Sequence, residues 1–329
     1  MIRITNLLAT TAVAILAATS AVRAEDVTLV GAVQFDESHA FTKGLRKFEE
    51  LAGECSGGSL KFDLHLNSEL GLEKDYFEYM SQGISVDYAI VSPSHMSTFS
   101  QMAPLMDMPF LFRDVDHWNK VLDQDALAPI AEDVLANANV RIIGYAGGGT
   151  RELIANRPIT NMDELNGFSM RVMGAPIQTR IFEAIHAAPS VIAYSEVYNA
   201  IQTGVIDGAE NEAAGIEQMK FYEVAPEISR TAHAITVRPI AFSEATFERL
   251  TPEQQACVLS AGKEAGRYAR GIESSEDSQK LETMQSEGLL TVHEFVDRDE
   301  LLKLAEPVKQ AYAAELGASE VYKAISDIH

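Results

Sequence analysis

Apolar runs of strand length alternate with segments of helical periodicity along most of the chain. In the first half, the pattern predicts strands over residues 27–33, 60–66, 86–91 and 140–145, and helices over 40–52, 72–82 and 115–136. Strands that alternate with helices in this way are typical of α/β proteins. We therefore expect the α/β fold class.

Three consecutive glycines, Gly147 to Gly149, end this first series. A phosphate-binding loop would continue with Gly-Lys-Ser or Gly-Lys-Thr, but Thr150 and Arg151 follow instead. The glycines are better explained as a hinge or tight crossing between two lobes. The alternation then restarts, with strands predicted over 152–155, 169–172, 191–193 and 205–207, a helix beginning at Pro176 and another between Ser195 and Gly204.

The last third of the chain is expected to connect the lobes a second time. Residues 228–242 form a β-rich segment long enough to return from the second lobe to the first. A capping box at 251–254 begins a helix that continues to about residue 286, a length of about 50 Å that suffices to cross both lobes. A short strand at 289–292 and helices at 301–316 and 319–328 complete the chain.

The amino terminus has the three parts of a cleavable signal peptide. Arg3 provides a positive charge, residues 7–21 are apolar or small, and Val22-Arg23-Ala24 resembles a cleavage site. The apolar run is too short for a membrane anchor, which needs roughly 20 residues. We therefore expect residues 1–24 to be removed and the mature chain to be a soluble protein of the periplasm, not inserted in the membrane.

The charge of the chain restricts its partners. The sequence contains 26 Lys and Arg against 48 Asp and Glu, and the predicted signal peptide takes away two of the basic residues. Such an acidic surface argues against nucleic acid or an anionic membrane as a partner. An anionic ligand would therefore require specific arginines. The two cysteines, Cys55 and Cys257, could pair in an exported protein, but the sequence does not place them close together.

Arg171 is the main candidate for binding an anion. It lies on a short apolar strand, and a helix and a further strand that ends at Asn211 follow. A guanidinium held on a strand presents a planar fork that binds a carboxylate through two parallel hydrogen bonds. An arginine that only caps the edge of a sheet would give the same spacing, and the spacing alone leaves both explanations open.

Enzyme motifs are not found in the sequence. It has no His-Glu-x-x-His, Cys-x-x-Cys or Gly-x-Ser-x-Gly motif, and His293-Glu294 lacks the second histidine of a zinc site. Residues 114–117 suit a solvated helix start better than a calcium site. The remaining enzyme hypothesis is an exported lyase or isomerase of sugar acids with Glu73 and His39 as acid and base. We expect no metal and no cofactor.

Five motifs together resemble one family. They are Asn-Ser-Glu-Leu-Gly-Leu-Glu at 67–73, Gln-Gly-Ile-Ser-Val-Asp at 82–87, Met-Pro-Phe-Leu-Phe at 108–112, Met-Arg-Val at 170–172, and the segment from Ser-Glu-Val-Tyr at 195–198 to Asp-Gly-Ala-Glu-Asn at 207–211. In this order they resemble the extracytoplasmic solute receptors of tripartite ATP-independent periplasmic (TRAP) transporters, the DctP family.

The resemblance implies two α/β lobes that are joined by β connections and one long helix and that close on a ligand. The expected boundaries are 25–146 plus about 232–255 for lobe I, 147–231 plus about 287–329 for lobe II, and about 251–286 for the helix across both. The receptor would deliver its ligand to a membrane permease driven by an ion gradient, and it would not be an enzyme.

The resemblance also implies roles for individual residues. Arg171 would form the salt bridge to the ligand carboxylate, Asn211 would donate to the same end, and Arg151 would be a second basic contact. The family commonly has Glu-Asn-Pro where this chain has Glu210, Asn211 and Glu212. The extra acid at Glu212 argues against a second ligand carboxylate nearby.

Glu73 and His39 resemble first-lobe residues that reach ligand hydroxyl or amine groups. Each has a structural alternative, because an acid at a helix start complements the helix dipole and a histidine can cap or pack. Arg151 could likewise pair only with neighbouring acids. Arg238, Tyr194 and Tyr198 are weaker candidates, and the helical spacing of Tyr198 from the apolar positions favours the core.

One firm arginine and several hydrogen-bonding groups favour a polyhydroxylated monocarboxylate as ligand. Residues 71–99 also resemble the sugar-acid-binding branch of the family, which includes receptors for uronates such as glucuronate or galacturonate. A C4-dicarboxylate, with Arg151 as the second cationic contact, is the alternative ligand.

Overall fold

The computed structural model describes residues 26–329. The predicted signal peptide, residues 1–24, lies outside the described residues. The first half contains strands β1 (Val27–Ala32), β2 (Leu60–His65), β3 (Tyr88–Ile90) and β4 (Val140–Ala155), and helices α1 (Ala40–Cys55), α2 (Glu73–Gln82), α3 (Val115–Asp123) and α4 (Ala128–Ala138).

The second half contains strands β5 (Ser169–Val172), β6 (Ala188–Val191), β7 (Gly208–Asn211), β8 (Glu227–Ser243) and β9 (Thr291–Glu294). Its helices are α5 (Met162–Leu165), α6 (Pro176–Ala184), α7 (Val197–Gln202), α8 (Ala213–Gln218), α9 (Glu244–Phe247), α10 (Pro252–Ser286), α11 (Arg298–Glu315) and α12 (Ser319–Ser326). The expected α/β class is confirmed.

The two lobes share strands of one sheet. Its order is β2-β1-β3-β8-β4-β7-β5-β6, with β9 beside β8. Strands β1, β2 and β3 pair in parallel in one lobe, and β5, β6 and β7 pair in parallel in the other. The 16-residue β4 and the 17-residue β8 pair antiparallel with each other and pass through both lobes. They are the two β connections that the sequence predicts.

The three glycines lie inside β4 where it crosses between the lobes. Gly147 and Gly148 have φ of 107° and 118°, values that L side chains rarely adopt. The Thr236 hydroxyl on β8 accepts hydrogen bonds from the Gly148 and Gly149 amides at 2.9 and 3.1 Å. The register between β4 and β8 shifts at this point. The triple glycine therefore forms a tight crossing against β8 and α10.

The long helix α10 packs along α1 and β4. Thr251 and Gln254 form the predicted capping box at its start. Gly262 and Gly266 face the β4 backbone so closely that a Cβ atom at either position would lie within 2.7 Å of it. A disulfide between Cys55 and Cys257, with the Cα atoms 5.6 Å apart, joins the end of α1 to α10. The sequence left this pairing open.

Several predicted elements differ from the structure. The strand predicted over 191–193 lies at Ala188–Val191, and the strands predicted over 140–145 and 152–155 form one strand, β4. The single helix predicted over 115–136 is wrong: the chain turns between α3 and α4, where Asp125 has a φ of 56°. The strand predicted over 205–207 lies at Gly208–Asn211 instead. This strand contains buried Glu210 and Asn211, polar residues that an apolar pattern assigns to a loop.

The last two helices contact both halves of the chain. Helix α11 packs against α6, and its Lys309 donates to the Phe110 carbonyl at 2.7 Å. The α12 carbonyl of Ile325 lies 2.8 Å from a ring nitrogen of His117 at the start of α3. Over residues 26–329, no helix has the length and apolar character needed to cross a membrane.

Candidate ligand-binding site

A buried chamber lies between the lobes, beside the crossing strands. One wall comes from residues that follow β1 and β3 and from helices α1 and α2: Gln34, Phe35, Phe41, Glu73, Ser92 and His95. The other wall comes from residues on or after β5, β6 and β7: Arg171, Met173, Tyr194, Asn211 and Glu212. Arg151 and Arg238 reach the chamber from β4 and β8. Ligands of open α/β sheets bind at the carboxyl ends of parallel strands, and this chamber has that position.

Arg171 lies on β5 and is 3% exposed. Its Nε donates to the Ile192 carbonyl at 3.0 Å, and the guanidinium lies 5.5 Å from the centre of the Tyr194 ring. It forms no ion pair with any carboxylate of residues 26–329, and burial lowers its pKa. Its two terminal nitrogens therefore keep their hydrogen-bonding capacity for a group inside the chamber.

Arg151 is equally buried but is fully compensated. Its Nε and Nη2 bind the Glu210 carboxylate, and its Nη1 binds the Glu212 carboxylate. Although burial acts against the charged form, these two acids raise the pKa of Arg151. Burial likewise acts against ionised Glu210, but Arg151 and His233 outweigh it and lower the pKa of Glu210 to about 2. The structure thus realises the alternative that Arg151 pairs with neighbouring acids.

Asn211 ends β7 within the chamber. Its Nδ2 donates to the Tyr194 hydroxyl at 2.8 Å, and its Oδ1 accepts from the Glu212 amide at 3.1 Å. The two bonds fix which end of the amide is the donor. One Nδ2–H is left for another acceptor beside Arg171.

Glu73 lies at the start of α2 and is 5% exposed. Its Oε2 accepts from the backbone amide of Ser92 at 2.6 Å, and its Oε1 lies 3.4 Å from the side-chain nitrogen Nε2 of Gln34. Burial raises the pKa of Glu73, and nearby Arg238 acts in the opposite direction. A buried carboxyl with one weakly engaged oxygen can accept hydrogen bonds from hydroxyl groups.

His39 does not line this chamber. Its Nδ1 accepts from the Phe41 amide at 3.2 Å and caps α1, and its ring stacks on Phe35 with the centroids 3.9 Å apart. Burial lowers the pKa of His39 to about 3, which keeps the ring neutral. Phe35, and not His39, provides the surface that faces the chamber.

The walls of the two lobes touch each other beside the chamber. The Ser92 hydroxyl, which donates to Asp107 at 2.8 Å, lies 3.3 Å from the Met173 sulfur, and Ser97 donates to the Gly174 carbonyl at 3.1 Å. A wider cleft continues outward from the chamber and shares Gln34, His95, Arg171 and Tyr194 with it. This cleft gives an entry path between the lobes.

Five of the six site residues predicted from the sequence line the chamber: Arg171, Asn211, Arg151, Glu73 and Glu212. The sixth, His39, lies behind Phe35. The sequence predictions were incomplete. They missed Gln34, Ser92, His95 and Met173. Three of these follow the carboxyl ends of β1, β3 and β5, so the rule for ligand sites in α/β sheets could have found them. His95 carries no comparable signal.

Comparisons of the sequence with family models and with known proteins agree on a family of solute-binding proteins. The family described as bacterial extracellular solute-binding protein, family 7 (DctP), matches residues 31–316. A solute-binding protein of Sulfitobacter sp. (strain NAS-14.1) is 57% identical over 307 residues, which cover 93% of each chain.

Solved structures resemble the whole described fold. A TRAP periplasmic solute-binding protein from Sulfitobacter sp. with bound α-D-taluronate has a TM-score of 0.90 and 57% identity, covering 91% of this chain and 97% of its own. Another from Sulfitobacter sp., with bound β-D-galacturonate, has a TM-score of 0.84 and 26% identity, covering 91% and 99%. These relatives are solute-binding proteins and not enzymes, which decides against the lyase or isomerase hypothesis. The chain belongs to the DctP family of bacterial extracellular solute-binding proteins, the solute receptors of TRAP transporters.

Proposed function

We propose that this receptor binds a sugar acid, a hexuronate above all, with the ligand carboxylate on Arg171. One observation carries the proposal: Arg171 is a buried guanidinium that pairs with no carboxylate in the described part of the chain, in a chamber where Arg151 pairs with two. Burial of an unpaired charge is unfavourable, and a ligand carboxylate would compensate it. The taluronate and galacturonate bound by the two Sulfitobacter relatives support this ligand class.

The chamber supplies partners for both ends of such a ligand. We assign to Asn211 a hydrogen bond to the carboxylate end and to Glu73 the acceptance of hydroxyl protons. Four of the five N–H donors of Arg151 are used by Glu210 and Glu212, so Arg151 retains one for the ligand. Glu212 acts through its bond to Arg151. His39 supports the ligand through the stacked ring of Phe35.

A monocarboxylate fits the charges better than a C4-dicarboxylate. The alternative was assigned Arg151 as its second cation, but Glu210 and Glu212 already neutralise that guanidinium. A second ligand carboxylate at Arg151 would meet Glu212 directly, and like charges repel. Hydroxyl groups cause no such repulsion because they both donate and accept.

Membership of the family supports a proposal for the cellular setting. We propose that residues 1–24 are a cleaved signal peptide, that the mature receptor acts in the periplasm, and that it delivers its ligand to the membrane permease of a TRAP transporter. We also propose the division into lobe I (25–146 and about 232–255), lobe II (147–231 and about 287–329) and the helix across both. The passage of β4 and β8 through both halves of the sheet supports this division.

A thermal-unfolding screen of the mature protein tests the ligand class. The panel contains D-taluronate, D-galacturonate, D-glucuronate, L-galactonate and succinate. A ligand present at 100 times its dissociation constant stabilises the fold by about 2.7 kcal/mol. We expect this shift for a uronate, with stoichiometric calorimetric binding and no product on incubation. A shift with succinate alone would contradict the proposal.

A further inference from the structure

Arg238 is a second buried guanidinium in the chamber that pairs with no carboxylate of residues 26–329. It lies on β8, is 5% exposed, and donates from Nη1 only to the carbonyl of Val237 at 3.2 Å. Its Nε has no partner among residues 26–329, and the guanidinium lies 5.6 Å from the centre of the Phe41 ring. Most of its donors are therefore unused by the protein.

Arg238 belongs to the first-lobe wall, away from the Arg171 strand. The carbonyl of the next residue, Pro239, accepts from the Val91 amide at 3.1 Å, which places Arg238 beside the end of β3. Ser92 follows there, and its amide binds Glu73. Arg238 and Glu73 thus occupy one wall, while Arg171 extends from the other lobe.

Buried carboxyl groups surround Arg238 without pairing with it. Three buried carboxyl groups, Glu73, Asp107 and Glu273, have pKa values that burial raises and that Arg238 acts to lower. None of them forms an ion pair with Arg238 in the described part of the chain. A ligand carboxylate at Arg238 would also approach Glu73 and Glu212, which line the same small chamber.

We propose that Arg238 is a specificity-determining residue that donates to hydroxyl or ring oxygens of the sugar acid, at the end opposite the carboxylate held by Arg171. This inference rests on the proposed function. Glu73 accepts from the hydroxyls whose oxygens Arg238 binds, since a hydroxyl can donate to a carboxyl while it accepts from a guanidinium. The pair selects polyhydroxylated monoacids and discriminates against the corresponding diacids.

Calorimetry of Arg238→Gln with two probes tests this role. The probes are D-taluronate and D-talarate, in which the aldehyde carbon is a carboxylate. We expect wild-type protein to bind D-taluronate more tightly than D-talarate, and Arg238→Gln to weaken D-taluronate binding roughly ten- to a hundredfold. Arg230→Gln, which changes an exposed arginine on the same strand, should leave the affinity unchanged.

A crystal structure of the wild-type complex with D-taluronate provides a readout that does not depend on variants. The expected result is an Arg238 nitrogen within hydrogen-bonding distance of a hydroxyl or ring oxygen. Tighter binding of D-talarate, an unchanged affinity in Arg238→Gln, or Arg238 bound to the carboxylate would each overturn the inference. If Arg238→Gln fails to fold, Arg238→Lys and the crystal structure decide.

The two proposals fail in different ways. If the wild-type protein binds D-taluronate and Arg171→Gln abolishes binding while Arg238→Gln does not, only the role of Arg238 is wrong. If the wild-type protein binds no uronate, the proposed function is wrong, and the role of Arg238 is wrong with it.

Discussion

Arg151 and Arg171 line the same buried chamber, but only Arg151 is bound by carboxylates of the protein. Arg151 is on β4 and Arg171 is on β5, with β7 between them in the sheet. Glu210 and Glu212 form ion pairs with the first guanidinium, and no described carboxylate forms one with the second. In our proposal the same residue type therefore supports the fold at one position and binds a ligand at the other, and the two roles can be separated by experiment.

Replacing Arg171 with lysine should weaken sugar-acid binding without destabilising the fold. An ammonium cannot form the two parallel hydrogen bonds that a guanidinium makes with a carboxylate. We expect the affinity for D-taluronate to fall roughly ten- to a hundredfold in isothermal calorimetry. Arg180→Lys, at an exposed arginine paired with Glu315, is the matched control and should bind as the wild type does. An equal affinity in Arg171→Lys would exclude the salt bridge.

Replacing Arg151 with methionine should instead cause a large loss of stability. The change leaves Glu210 and Glu212 buried without their cation, and breaking a buried pair in this way costs about 3–5 kcal/mol. Chemical denaturation of the ligand-free protein measures the loss. Arg171→Met is the control: it removes an unpaired buried charge, so the free energy of unfolding should stay the same or rise. Equal destabilisation by both changes would contradict the distinction.

Glu152 should make the fold less stable as the pH rises from about 4.5 to 7. Burial raises the pKa of Glu152 to about 7, its neighbour Asp277 adds to the effect, and the Ala232 amide at 2.6 Å, Arg230 and Arg298 oppose it. In this window the folded state retains a proton that the unfolded state releases, so the free energy of unfolding falls with increasing pH.

The variant Glu152→Gln isolates this contribution. Glutamine keeps an oxygen for the Ala232 amide but does not titrate. We expect denaturation between pH 4.5 and 7 to show a flatter slope for Glu152→Gln than for the wild type, while Glu132→Gln, at an exposed carboxyl, retains the wild-type slope. Asp277 titrates in the same direction, with its pKa raised to about 6, so a residual slope is expected.

The parts of the fold that follow from local patterns were predictable. Strand β5 begins and ends at the predicted residues, and α10 begins at the predicted capping box, because apolar alternation and helix caps are local signals. The turn at Asp125 was not predictable, since residues on both sides of it have helical periodicity. Strand β7 was misplaced because Glu210 and Asn211 are buried only through Arg151 and Tyr194, which are distant in sequence.

In the candidate site, too, some residues could be predicted from local motifs and others could not. Arg171 and Asn211 could be assigned from their motifs, and the structure places both in the chamber. Whether Arg151 was free or paired depended on the register of β4 against β7, which sets Glu152 opposite Asn211 and brings Arg151 to Glu210 and Glu212. The spacing of residues along the sequence does not show which residues of two distant strands lie opposite each other. The position of His39 behind Phe35 likewise depends on ring stacking.

Removing the disulfide should destabilise the protein without changing its affinity. Cys55 and Cys257 are separated by 202 residues. In the chain-entropy model, closing a loop of that size lowers the entropy of the unfolded chain and raises its free energy by about 5 kcal/mol. We expect a Cys55→Ser/Cys257→Ser variant to unfold at a lower temperature. Neither cysteine lines the chamber, so the D-taluronate affinity at a temperature where the variant is folded should match the wild type. A large loss of affinity would show that the bridge positions the site.

Gly148 should be intolerant of even a methyl group because the crossing of β4 leaves no space for one. Its φ is 118°, and a Cβ atom would lie 2.2 Å from the Ser274 hydroxyl oxygen of α10. We expect Gly148→Ala to lower the free energy of unfolding by about 1–3 kcal/mol, since both the backbone conformation and the contact become unfavourable. Adding Ser274→Ala removes the hydroxyl oxygen from the contact without placing a glycine in α10, so it should restore part of the loss. Gly271→Ala, on the same helix with nothing within 4 Å of the new methyl group, should be neutral or stabilising. Denaturant unfolding of the four proteins measures these differences, and a Gly148→Ala variant as stable as Gly271→Ala would show that the crossing is not constrained by the glycine.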